Sequence, residues 1–290
     1  MELIEFSREL PPNFFRRHIL DGENPLKVSA FLEANGVAKH WGFDYFRDLG
    51  ESLLVPVKTF DSNGDIRVST TPLSDYVRSI EQYELDQKSH RPAYCHDIPI
   101  FHLLPDLVDG VRSMPSSIFP LWYRDSWWQF AQFFMSPSGS ITPLHFDTLM
   151  THNLFFQVTG VKEFYLLPFS ERSNCYRRGW RWFDVDPLNP SDAKHPKYRP
   201  ERCLKVTLRP GDLLYMPPGM LHHVVTKQAS ISFNVDFHTK LSVCRSFRFV
   251  SESIPAPSLY YNTVALAGLF LGFNKRYLFS LYKSYLNYIS

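Results

Sequence analysis

The sequence predicts a mainly β fold with flanking helices and a helical C-terminal tail. Three observations predict it. Six short aromatic or β-branched runs lie from Gln129 onward, separated by turn residues. Aromatic residues make up 16% of the chain and suit the half-buried surface of a sheet. Beyond Pro255 and Pro257 the apolar spacing becomes helical. Short, punctuated strands of this kind build an antiparallel sandwich or barrel.

In chain order, Pro25–Ser29 reads as a short strand and Phe43–Leu49 as a helix. Leu53–Phe60 alternates as a strand does. Pro72–Tyr83 reads as a turn into a helix, capped by Ser74 and Asp75, with Tyr76, Ile80 and Tyr83 on one face. Asp97–Leu107 is loop with a short helical piece. The six later runs are Gln129–Met135, Leu154–Val158, Glu163–Leu167, Cys203–Leu208, Asp212–Met216 and Ser230–Phe237. Pro137-Ser-Gly, Thr159-Gly160, Pro210-Gly-Asp and Pro217-Pro-Gly punctuate them. Ser170–Arg202 is a long stretch rich in Pro, Arg and Trp, of a length that is usually functional or disordered. Its Arg172, Arg177, Arg178 and Arg181 face either solvent or an acidic or peptide partner. In the tail, Tyr277, Leu278, Leu281, Tyr282, Tyr285 and Leu286 make one stripe. The expected organisation is a domain at 1–255, with core motifs at about 127–240, and a helical segment at 256–290.

Composition removes several function classes. With 31 Lys+Arg against 29 Asp+Glu, the chain lacks the electrostatic footprint of a duplex-binding protein, so a nucleic-acid partner is disfavoured. No glycine-rich phosphate loop stands out among 13 glycines. The four cysteines include no C-x-x-C pair, which excludes a zinc ribbon and argues against a disulfide scaffold. The first ten residues carry acids where a secretory signal needs a basic and then an apolar stretch, so a cytoplasmic location is expected. Val264–Phe273 is too short to span a bilayer, which needs about 20 apolar residues.

The chemistry concentrates in Thr142-Pro-Leu-His145-Phe-Asp147. Two residues apart on a strand, His145 and Asp147 point to one face. A metal needs a third ligand, and Pro217-Pro-Gly-Met-Leu-His222-His223 offers one after a strand and a tight turn. Two histidines and a carboxylate on one face of an octahedral ion leave three positions open, as in non-haem iron oxygenases. A lone His-x-Asp is common by chance, and both His222 and His223 stand as candidates on spacing alone.

With these motifs the chain resembles the JmjC/cupin-type Fe(II)- and 2-oxoglutarate-dependent oxygenases. It is most similar to the small hydroxylase branch that holds the asparaginyl hydroxylase inhibiting hypoxia-inducible factor. The matching segments run from about Gln129 to Phe237, with a weaker likeness at Val37–Val57. The resemblance implies a double-stranded β-helix, the jelly roll of cupins. It implies His145, Asp147 and His222 as ligands of Fe(II). It implies Lys162 and Thr142 as partners of the distal carboxylate of 2-oxoglutarate, and Asn153 and Asn234 as further residues of the cosubstrate pocket. Oxidation of the cosubstrate by O₂ would then release succinate and CO₂ while a C–H bond is hydroxylated. The substrate would be a protein, a peptide or a small molecule. The family's C-terminal helices imply a homodimer.

Rival readings are an N-demethylase of the same family, a cupin that binds metal without catalysis, and a zinc or manganese isomerase-type cupin. No cysteine-rich zinc site follows the domain, which disfavours the first. The complete set of His145, Asp147, His222 and Lys162 argues against a decayed site. Pro-Leu-His145-Phe-Asp147 lacks the histidine-rich first motif that the isomerase-type cupins carry. Trp127, Trp128, Tyr123 and Phe130 read as core, and His152, His223 and His238 as structural.

Overall fold

A computed structural model describes residues 1–273 except 12, 21, 50, 61–65 and 89. Among these residues thirteen strands join one sheet system. The N-terminal half supplies β1 (Ile4–Ser7), β2 (Leu26–Ser29), β3 (Leu54–Phe60), β4 (Ile66–Pro72) and β5 (Tyr94–Ile98). Next come β6 (Ala131–Ser136), β7 (Ile141–His145), β8 (His152–Leu167), β9 (Arg177–Arg178) and β10 (Trp182–Phe183). The last are β11 (Leu204–Leu208), β12 (Leu213–Met216) and β13 (Leu221–Phe237). The helices are α1 (Phe31–Asn35), α2 (Phe43–Leu49), α3 (Leu73–Leu85), α4 (Ile100–Leu103), α5 (Lys240–Ser246) and α6 (Ala256–Leu271).

β8 and β13 pair antiparallel from end to end, and each changes neighbour half-way. The first half of β8 pairs β12 and its second half pairs β11. The first half of β13 pairs β7 and its second half pairs β6. Two long strands therefore run through both sheets of a jelly roll, the double-stranded β-helix that the resemblance implies. The change of sheet needs a bend. Register slips between Thr226 and Ser232 on β13, opposite Gly160 on β8, provide it. Gly160 has φ +75°, and a Cβ there would lie 2.0 Å from the Ala229 carbonyl oxygen, so only glycine fits.

Strand alternation then sorts side chains. Leu154, Phe156, Phe133, Phe233 and Val235 face outward into a helix-covered core with Trp41, Phe46 and Phe101. Phe156 and Phe233 stack with centroids 4.7 Å apart. Asn153, Phe155, Phe134, Asn234 and Asp236 face the opposite way, into the barrel. The stretch after β8 is not loose. Cys175, Phe183, Val185 and Tyr198 are buried against Leu144, Phe146, Leu167 and Leu221.

Several local expectations change. The Thr159-Gly160 turn is a bend inside one 16-residue strand, because both halves keep pairing with β13. Ser230–Phe237 is the second half of a strand that begins at Leu221. The helix after Pro72 has Pro72 itself at its N-cap with no side-chain cap; Ser74 lies buried in the first turn, facing the core. β1, β4 and β5 were not legible. Tyr123, Trp127 and Phe130 are core, with Trp128 partly buried against it.

α6 lays Tyr261, Val264 and Ala265 on the same core, and Asn262 bonds both His238 and the Ser246 hydroxyl. The apolar stripe at residues 277–286 lies outside the described residues. No helix among the described residues is long and apolar enough to cross a membrane.

The Gly160 contact yields a stability test. Gly160→Ala is expected to cost about 1–3 kcal/mol, the range of an overpacked core, read by urea unfolding. An unchanged midpoint would show that the bend does not require the close approach.

Candidate active site

His145 ends β7 and pairs His222 across the sheet; their rings stand 4.1 Å apart, centroid to centroid. Asp147 lies two residues past the end of β7, in the following turn rather than on the strand. Its Oδ1 is 3.7 Å from His222 Nε2, and its Oδ2 accepts a 3.1 Å bond from Asn153 Nδ2. One ligand atom from each of His145, Asp147 and His222 falls within 4.8 Å of the others.

The orientation of both rings is fixed from behind. His145 Nδ1 lies 2.8 Å from the Pro143 carbonyl oxygen, and His222 Nδ1 lies 3.1 Å from that of Met220. A carbonyl only accepts, so each Nδ1 carries a proton and Nε2 is left as the ring nitrogen that can serve as a metal ligand. Burial, then His222 and Arg181, push the pKa of His145 well below the ordinary histidine value, which keeps it a neutral donor. Two imidazoles with backbone-anchored Nδ1–H groups and a carboxylate oriented by an amide form a donor set that fits a divalent ion. The slip in register between His222 and Val224 also brings Thr142 and His145, three apart, to one cavity.

Lys162 lies deeper in that cavity and is fully buried. Its ammonium donates to Tyr94 Oη at 2.8 Å and Ser232 Oγ at 3.1 Å. The rings of Tyr94, Phe134 and Phe155 surround it at 5.1, 5.6 and 5.3 Å. No carboxylate among the described residues pairs with it, and burial lowers its pKa to about 7. The cavity thus has a metal-type donor set at one end and a buried ammonium at the other. Between them Asn153 and Asn234 each keep a buried side-chain oxygen without a partner. That spacing of groups suits a molecule that chelates at one end and ends in a carboxylate at the other.

The model of the cupin-like domain matches residues 11–242. The chain belongs to the cupin-like domain family. It is 24% identical over 197 residues to the human bifunctional peptidase and (3S)-lysyl hydroxylase JMJD7, covering 57% of this chain and 58% of that protein. It is 21% identical over 268 residues to the chicken 2-oxoglutarate and iron-dependent oxygenase JMJD4, covering 84% and 61%. It is 26% identical over 251 residues to human tRNA wybutosine-synthesizing protein 5, covering 79% and 76%. The chain therefore spans about three fifths of the first two relatives.

The cavity has polar and charged wall residues that sequence reasoning missed. Tyr94, His96 and Asp97 come from β5, Asp236 from β13 and Arg181 from the turn before β10. Alternation could have found one of them, because Asp236 lies two residues beyond Asn234 on the same strand. Nothing in Tyr94-Cys-His-Asp-Ile marks a strand. Asp236 is buried beside Asp147 and Asp97, and burial followed by those charges raises its pKa well above the carboxylate range. Asp97 goes the other way. Burial favours its protonation, but His96 and Lys58 outweigh this and hold it below the usual range.

His152, His223 and His238 do not line this cavity. His152 bridges Tyr215 Oη and Thr239 Oγ1, and His238 bridges Ser242 and Asn262. His223 points away from the cavity into packing, with no partner for either nitrogen. The basic cluster disperses. Arg172 and Arg177 pair Glu252, Arg178 pairs Asp184, and only Arg181 lines the cavity. Next to it, the Trp182 ring stands 4.8 Å from that of His145.

The buried ammonium carries a pH signature. Between about pH 7 and the model-peptide value near 10.5, unfolded chains hold a proton on Lys162 that folded chains have lost. Its contribution to stability therefore rises with pH through that window and is unfavourable below it. Lys162→Met is expected to raise stability at pH 7 and to flatten this rise, measured by urea unfolding at pH 7 and pH 9. A lower stability at pH 7 would contradict an uncompensated ammonium.

Proposed function

We propose that this chain is an Fe(II)- and 2-oxoglutarate-dependent oxygenase that hydroxylates a C–H bond, releasing succinate and CO₂. The observation that carries the reading is the facing of His145, Asp147 and His222 with both Nδ1–H groups committed to carbonyls. The relatives named as iron- and 2-oxoglutarate-dependent oxygenases support it.

In this reading His145 and His222 give Nε2, and Asp147 gives Oδ1, to Fe(II). Lys162 binds the distal carboxylate of 2-oxoglutarate, with Thr142 adding a hydroxyl, while Asn153 and Asn234 line the space between. Bound iron with 2-oxoglutarate and O₂ supplies the oxidising chemistry. The protein's part is binding, orientation and exclusion of water. Asn153 holds Asp147 by its Oδ2 so that Oδ1 faces the histidines. The aromatic rings around Lys162 remove water, so its ammonium gains most from a carboxylate partner.

The stretch over the mouth, with Arg181 and Trp182, is read as the substrate wall. Its burial through Phe183, Val185 and Tyr198 gives those two side chains a rigid mount. A protein or peptide substrate is supported by the lysyl hydroxylase relative. Four cysteines without a disulfide fit a reducing compartment, and the reading keeps the chain cytoplasmic. The C-terminal segment is read as the contact between two chains, supported by exposed Tyr260, Phe270, Leu271 and Phe273.

Asp147→Ala and His222→Ala are each expected to lower iron-dependent succinate formation by at least about 10²-fold, while His223→Ala retains it. The reverse pattern for the two histidines would put the third ligand one residue later. Sedimentation at micromolar concentration is expected to give twice the chain mass. A monomeric full chain would remove the dimer.

A further inference from the structure

A buried ion pair beside the cavity has no role in the chemistry above. Lys58 and Asp97 are 4% and 5% exposed, and Lys58 Nζ lies 3.2 Å from Asp97 Oδ2. The same oxygen accepts a 2.5 Å bond from His96 Nδ1. Burial lowers the pKa of His96, so it gives a neutral hydrogen bond and Lys58 is the positive charge. Replacing such a pair by apolar side chains is often neutral or stabilising, so stability alone is a weak reason for it.

Its placement is specific. Lys58 on β3 sits opposite Tyr94 on β5, whose hydroxyl holds Lys162. A bulge between Cys95 and Ile98 gives Asp97 a φ of 58° and turns it, with His96, into the cavity wall. The His96 ring meets Tyr94 and Phe134 edge-on at 4.9 and 5.0 Å, and these two rings flank the Lys162 ammonium. Asp97 and Lys162 therefore share one enclosed space. An anion entering it faces the Asp97 charge across a medium that screens poorly.

We propose that Lys58 is a positioning residue for the cosubstrate pocket: by neutralising Asp97 it lets a dianion settle on Lys162. This rests on the oxygenase reading, which supplies the dianion. Without Lys58 the Asp97 carboxylate in the cavity wall keeps its hydrogen bond from His96 but loses its ion-pair partner, and its charge opposes entry of the diacid.

The test is calorimetric titration of 2-oxoglutarate into Zn(II)-loaded protein, which binds without turning over. Four forms are compared: the unsubstituted chain, Lys58→Met, Asp97→Asn and the double variant. Repulsion by one unscreened charge is expected to weaken binding to Lys58→Met about ten- to thirtyfold. Asp97→Asn is expected to bind no more weakly than the unsubstituted chain. The double variant, neutral again, is expected to return to within about threefold of it. Equal binding by Lys58→Met would overturn the inference and leave the oxygenase reading standing. A double variant as weak as Lys58→Met would overturn it too, because a purely structural pair cannot be rescued by deleting its second half. If Lys58→Met does not fold, Asp97→Asn and the double variant decide, and loss of binding in either overturns the inference. No binding to the unsubstituted chain would sink the oxygenase reading together with the inference.

Discussion

The pairing of β8 with β13 along their whole length sets the place of most groups in the cavity. Leu221 to Phe237 run against Leu167 to His152, so Asp236 meets Asn153 at one end and His222 lies near Leu166 at the other. In a sheet with side-chain period two, a slip of one residue would exchange Asn234 with Phe233 and Asn153 with Leu154. Such a slip would put phenylalanine in the polar cavity and asparagine in the helix-covered core. The stacked Phe156 and Phe233 oppose it, because fully burying each is worth about 1.5–3 kcal/mol. The register that packs the outer core is thus the register that assembles the polar inner face.

The bend at Gly160 turns that pairing into a container. It carries β8 and β13 from one sheet to the other, so Lys162 past the bend looks across the barrel at Tyr94 and Ser232. The ammonium rests on two hydroxyls and three ring faces with no counter-charge among the described residues, an arrangement that costs stability in isolation. Asp236, close to two other acids, is a second such cost. Locally unfavourable polar groups in an otherwise well-packed barrel are the mark of a site kept for binding. Around it, hydrophobic burial of the 170–202 stretch and of α6 supplies the stability that these groups reduce.

The sequence by itself determined most of the barrel strands and the place of the His-x-Asp pair. The His145-x-Asp147 pair was legible because its motif is local, whereas His222 rather than His223, and Lys162, followed from the family resemblance and not from spacing. Phe43–Leu49 was legible to the residue because its apolar spacing repeats over two turns. The continuity of β8 through Gly160 was not, since Thr-Gly is a turn signal until a partner strand supplies hydrogen bonds across it. Nor was Asp147's place beyond the strand end. The wall of Tyr94, His96, Asp97 and Lys58 was decided only by tertiary structure. Those residues lie on β3 and β5, which reach the barrel through β6, and no local pattern records which strand will be neighbour to which. Alternation tells which face a residue takes. Only long-range pairing tells what that face will see, because the free energy that selects the pairing is spread over a core drawn from the whole chain.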